Sequence, residues 1–222
     1  MKDKLLAGLA VAAAAALAVH QYMIWAYAPV AQSGPVQKIF YMHLPCSWWS
    51  LVSFFVVFVS SILFLFGRDE KWDRLAGASA ELGVLFSSLA LMTGSVWARA
   101  EWGHWWLWDP KLTTALIMWY VYAGYLVLRS TAMGRDRKAL VCAVLGIVAF
   151  LDVPLVFFAA KLWGSAHPDG LARKSSGMEV RMWHTVFAGL IAFGFVWAGM
   201  LLARVRQLRR RAELEARLIW DE

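Results

Sequence analysis

The sequence predicts an all-helical, polytopic integral membrane protein of six transmembrane helices, and three observations predict it. Of the 222 residues, 61% are hydrophobic and only 17% charged, whereas soluble domains are roughly 45–50% apolar. A soluble fold of this length cannot hide that much apolar surface. Six apolar runs, at 5–28, 47–66, 75–97, 112–128, 139–160 and 183–203, come near the roughly 20 residues that span a bilayer. Finally, the basic residues sort by side: with both termini inside, 15 of the 22 lysines and arginines fall in the inner segments and 7 outside. The positive-inside rule therefore predicts an N-in, C-in chain.

The first run opens after Lys2 and Lys4 and closes on Ala26-Tyr27-Ala28, a small-x-small pattern of the kind signal peptidase cuts. Its apolar stretch exceeds the roughly 7–15 residues of a signal core, and Tyr22, Trp25 and Tyr27 suit a membrane interface. It is read as a retained span. The second run follows an outer segment, 29–46, that carries Tyr41-Met42-His43-Leu44-Pro45. The third feeds the outer segment 98–111, where Asp109 stands before Pro110 as an N-cap before Pro at N1, starting the fourth span. The fifth run leads into the outer segment 161–182 with His167, and the sixth into a basic tail that reads as a solvated helix. The inner loops 67–74 and 129–138 are short and charged. The organisation is thus a membrane domain, 1–203, and a cytoplasmic tail, 204–222.

Charge and cysteine content exclude several classes. A net charge of +7 in a soluble chain would raise the question of nucleic acid, but the sidedness of the basic residues accounts for it. Cys46 and Cys142 form neither CxxC nor CxxCH, so a thiol redox motif and covalent heme attachment lack support. No phosphate-binding loop or metalloprotease motif is present. Glu81 and Asp152 lie within or at the edges of spans, where a carboxylate is costly unless it faces the bundle interior; neither is assigned a catalytic role.

The densest chemical signal is Trp-Gly-His-Trp-Trp-Leu-Trp-Asp-Pro at 102–110. An aromatic belt is one reading, since indole favours the interface. A belt spreads its rings over many helix ends, however, and gains little from several on one connection. A helical segment would place Trp102, Trp105, Trp106 and Asp109 at i, i+3, i+4 and i+7, making a flat apolar shelf with one carboxylate. Gly103 would let a planar ligand approach the backbone. The role of Asp109 as a helix cap stands beside its role in ligand binding.

Porphyrin suits such a shelf if axial nitrogen ligands are close by. His43 and His167 both reach the outer edge, and imidazoles on opposite sides of a plane make a bis-histidine heme iron site. His20 and His184 read as core or interface residues before extra ligands, and His104 as a spacer before a competing ligand. Arg99, Lys111, Arg173 and Lys174 suit heme propionates and membrane-surface anchoring equally well.

The run 102–113 resembles the heme-handling membrane proteins of cytochrome c biogenesis, whose signature is a Trp-Gly-x-Trp-Trp-x-Trp-Asp core. The six-span plan, the Tyr-x-His-x-Pro element and the late outer histidine are similar to the cytochrome c maturation protein C branch. One departure is that Pro168-Asp169-Gly170 follows the late histidine where the family has Gln-Gly. The resemblance implies heme b held noncovalently at the periplasmic side of the bacterial inner membrane. It places the axial ligands on His43 and His167, and the platform on Trp102, Gly103, Trp105, Trp106, Trp108 and Asp109. It further implies delivery to a membrane-tethered heme chaperone, and partnership with the ATPase and permease subunits of an ABC transporter and a small membrane adaptor subunit. A non-enzymatic role follows. The competing readings are a quinone-linked b-type cytochrome and a heme-translocating permease.

Overall fold

The computed structural model describes residues 2–30, 34–165, 167 and 178–220, and these are mostly helical with no strand among them. Six helical stretches are long and apolar enough to cross a membrane. Helix α1 (Lys2–Tyr22) runs on into a π turn, Met23–Tyr27. A 3-10 stretch (Gly34–Ile39) then leads into α2 (Phe40–Gly67). Next come α3 (Glu70–Trp102), α4 (Pro110–Ser130), α5 (Arg135–Ala149), α6 (Asp152–Trp163) and α7 (Val180–Trp220).

Local signals account for most of the boundaries. Arg68, at φ 54°, turns the chain after α2, and Asp69 then caps α3 by accepting from the Lys71 N–H at 2.8 Å. Gly103, at φ +76°, ends α3, where its N–H reaches the Arg99 carbonyl. Asp109 caps α4 through the Leu112 N–H at 2.8 Å, with Pro110 at the first helical position. This start agrees with the expectation from sequence.

The fifth span differs from the continuous helix expected, because it is two helices joined at Phe150–Leu151. Pro154 has no N–H to give the carbonyl four residues back, which is that of Phe150. That carbonyl is met instead by the Val153 N–H at 3.1 Å, and the Val148 carbonyl by the Leu151 N–H at 3.1 Å. Shorter-range bonds of this kind tighten and bend the chain there.

Spans α2 and α3 pack along a stripe of buried small residues that includes Ser50, Ser53, Ser60, Ser79, Gly83 and Ser87. In lipid, such residues let helices approach closely, which substitutes for the hydrophobic drive available in water. Phe54 fills the space opposite Gly83 and stacks on Tyr122 of α4, with ring centres 3.7 Å apart. A Cβ at Gly83 would overlap Phe54 Cε1. Gly83→Val should therefore separate α2 from α3 at a cost of about 1–3 kcal/mol or more. The expected outcome is a lower thermal midpoint in detergent, restored in part by Phe54→Leu; an unchanged midpoint would refute this packing account.

The end opposite the tryptophan segment is held by ion pairs. Arg204 of α7 makes a two-bond contact with Glu81 of α3, at 2.5 and 2.8 Å. Arg129 of α4 does the same with Asp73 of α3, at 2.7 and 2.9 Å. The carboxylate at Glu81 is thus paired, although both side chains of this pair keep more than a third of their surface exposed. Helix α7 has 41 residues, about 60 Å at 1.5 Å each, twice the roughly 30 Å of a bilayer core. Its C-terminal half projects well beyond the span.

Candidate functional site

His43 does not lie in a loop ahead of the second span. It sits in the first turns of α2, which begins at Phe40. Its Nδ1 lies 3.0 Å from the Ala90 carbonyl of α3 and 3.2 Å from Thr93 Oγ1. A carbonyl only accepts, so Nδ1 carries the ring proton and the Nε2 lone pair is left to act as a ligand. Ser47 Oγ lies 3.4 Å from Nε2 but donates its proton to the His43 carbonyl at 3.0 Å. The hydroxyl therefore does not consume that lone pair. Gly94 matters here, because a Cβ in its place would stand 3.1 Å from the His43 ring.

His167 lies in the segment after α6, yet its ring centre is 6.2 Å from that of His43, with the planes inclined at 42°. Two elements distant in sequence thus bring their imidazoles close together. The segment is tied to α4 through Asp109. Ser165 Oγ donates to Asp109 Oδ2 at 2.7 Å and accepts from the His167 N–H at 3.0 Å. Burial works to raise the Asp109 pKa, but hydrogen bonds from Leu112, Ser165 and His167, with the charge of His167, outweigh it and hold the carboxyl below its usual 3.8. A lowered carboxylate pKa adds stability that is complete above the usual value and disappears as pH falls through the folded-state value. Near neutrality the tie is at full strength.

The tryptophan segment corrects one expectation. It is not a helix, so Trp102, Trp105, Trp106 and Asp109 do not share a helical face. Only Trp102 is helical, as the last residue of α3; Gly103 reverses the chain and 106–109 run without regular structure into the cap of α4. The physical reason lies in two local terminators, the left-handed Gly103 and the Asp109-Pro110 start, which leave too few residues between them for a helix. Ser95 holds the connection by donating to the Trp105 carbonyl at 2.7 Å, and Arg99 donates to the Gly103 carbonyl.

The rings nevertheless form two perpendicular pairs. Trp97 and Trp102 meet with centres 5.1 Å apart, and Trp106 and Trp108 with centres 5.9 Å apart. Trp105 and Trp108 are 60% and 77% exposed, so this edge offers broad apolar surface. Trp106 points its indole N–H into a buried position with no protein partner, a donor whose desolvation needs an acceptor. His104 is exposed.

His20 is fully buried against Phe193, and His184 bonds to the Tyr27 hydroxyl at 2.9 Å, in keeping with core and interface roles. Arg173, Lys174 and the Pro168-Asp169-Gly170 run lie outside the described residues. Sequence reasoning did not single out Ser47, Ala90, Thr93, Gly94 or Ser165. Ser165 alone had a visible signal, standing between a helix-ending Gly164 and the late histidine.

A six-span helical bundle with paired imidazoles and a tryptophan-rich connection at one end defines a polytopic membrane protein built around that end. Comparison with known proteins makes the assignment specific: the chain belongs to the heme exporter protein C (CcmC) family, whose model matches residues 1–219. The chain is similar to heme exporter protein C of Bradyrhizobium diazoefficiens, at 32% identity over 81% of this chain and 70% of the relative. The relative of the same name from Rhodobacter capsulatus is 29% identical over 93% of this chain and 88% of its own length. That from Escherichia coli K12 is 26% identical over 90% and 82%.

Proposed function

We propose that this chain holds heme b noncovalently between His43 and His167 and passes it to a membrane-tethered heme chaperone during cytochrome c biogenesis. The observation that carries the reading is the 6.2 Å between the two ring centres. Metal–imidazole bonds are about 2 Å and each nitrogen is about 1 Å from its ring centre, so an iron between two imidazoles sets their centres roughly 6 Å apart. Two nitrogens are an incomplete set for a bare ion, and a porphyrin supplies four more.

Heme here is cargo, and the chain's work is to bind, orient and release it. Within this reading, the Ala90 carbonyl fixes the His43 ring so that Nε2 faces the iron. Trp102, Trp105, Trp106 and Trp108, with Gly103 and Asp109, supply the apolar edge on which the macrocycle rests, and the buried Trp106 N–H suits a propionate oxygen. The distribution of basic residues supports an N-in, C-in orientation, with the heme site on the periplasmic side of the inner membrane. The projecting half of α7 and the basic tail 204–222 then lie in the cytoplasm. The relatives' name, heme exporter protein C, supports a place in a heme export assembly; the partners that the resemblance of the tryptophan segment implies are the ATPase and permease subunits of an ABC transporter and a small membrane adaptor subunit.

The test is transfer. Heme-loaded chain mixed with the heme-free chaperone should lose its heme absorption as heme appears on the re-isolated chaperone. Heme that is reversibly reduced by a quinol, and never transferred, would favour a b-type cytochrome instead.

A further inference from the structure

We propose that Ser165 is a positioning residue, which latches the segment after α6 onto Asp109 and thereby sets the distance between His167 and His43. The inference rests on the heme-site reading above and concerns a residue whose hydroxyl bonds to the Asp109 carboxylate and to the backbone of His167. Helix α6 stops at Trp163 because Gly164 adopts φ +74°, ψ 155°, a region open to glycine and closed to other residues. A Cβ at Gly164 would meet nothing within 4 Å, so the backbone angle and not the space demands glycine there. The turn delivers Ser165 to Asp109, and its hydroxyl does two jobs in one place: it donates to Asp109 Oδ2 at 2.7 Å and accepts the His167 N–H at 3.0 Å.

Asp109 can serve as an anchor because its other oxygen, Oδ1, is already fixed by the Leu112 N–H at 2.8 Å. The carboxylate is therefore held rigidly at the N-terminus of α4, where the helix dipole also favours it. The chain Leu112, Asp109, Ser165, His167 connects a rigid helix end to the backbone of one imidazole bearer. On the other side of the gap, His43 is held by α3 through Ala90. Each ring thus has its own support: the packing of α3 on α4 places the two supports, and the latch sets where His167 stands relative to them.

Groups that orient a metal ligand without touching the metal typically contribute tenfold to a hundredfold in affinity. Valine matches threonine in shape and lacks only the hydroxyl, so the comparison of Ser165→Thr with Ser165→Val separates latch from packing. Ser165→Thr should keep the bis-imidazole spectrum. Ser165→Val and Ser165→Ala should retain heme about tenfold or more less well and show a mixture of low- and high-spin iron. In heme-free membranes, a His167→Cys reporter should react faster with an impermeant maleimide when residue 165 is Ala than when it is Ser. Equal heme retention and spectra for the Thr, Val and Ala chains, with equal labelling rates, would overturn the latch. If His43→Ala and His167→Ala leave heme retention unchanged, the site reading itself fails, and the labelling comparison still decides the latch.

Discussion

Replacing His43 and His167 together by alanine is expected to remove the low-spin bis-imidazole spectrum and to lower heme retention by more than about tenfold. Each single substitution should leave a five-coordinate, high-spin heme, because one imidazole remains to bind the iron. Neither change should unfold the chain. His43 is half-buried near one end of α2, and His167 is half-buried in the segment beyond α6, so the space each leaves lies at one end of the bundle and outside its fully buried core. Adding imidazole to His43→Gly or His167→Gly should restore part of the low-spin signal. Full heme retention with an unaltered spectrum in the double variant would sink the ligand assignment.

A comparably large effect on stability is expected at the other end of the bundle. The guanidinium of Arg129 makes two bonds to the Asp73 carboxylate, a third to the Asp73 carbonyl at 3.2 Å and a fourth to the Tyr125 hydroxyl at 3.2 Å. It lies directly on Gly77, where a Cβ would come within 2.8 Å of the guanidinium. Both side chains are about four-fifths buried, at 21% and 23% exposure. Removing one partner leaves a desolvated charge, so Arg129→Ala should cost about 3–5 kcal/mol. Because desolvation offsets most of the attraction in such a pair, Arg129→Met with Asp73→Leu should recover much of that loss. Thermal midpoints in detergent measure both. A single variant as stable as the parent, or a double variant no better than Arg129→Ala, would contradict this balance.

Two kinds of information in the sequence behaved differently. The start of α4 was legible because Asp109 and Pro110 act on their own neighbours, through one side-chain bond and one fixed φ. The break between α5 and α6 was equally local in cause, since Pro154 deprives one carbonyl of its donor. Hydropathy alone did not register it, because the apolar run is continuous across the break. The helical shelf was an error of period: spacing at i, i+3 and i+4 carries meaning only if the backbone is helical, and Gly103 ends the helix one residue after Trp102. At His43, the apolar run located the span within the helix but not the start of the helix, because polar and aromatic residues can occupy the turns that emerge from a bilayer.

The sequence by itself determined the six apolar spans and the Asp109 cap of α4, since these depend on composition and on neighbours within a turn or two, and it singled out His43 and His167 as the candidate ligands. It also placed both histidines at one edge of the membrane. Only the tertiary structure decided that their rings stand 6.2 Å apart, that Ala90 directs one of them and that Ser165 and Asp109 tether the other. Those features rest on helix packing and on one glycine turn, and contacts between residues so distant along the chain leave no periodic trace in it.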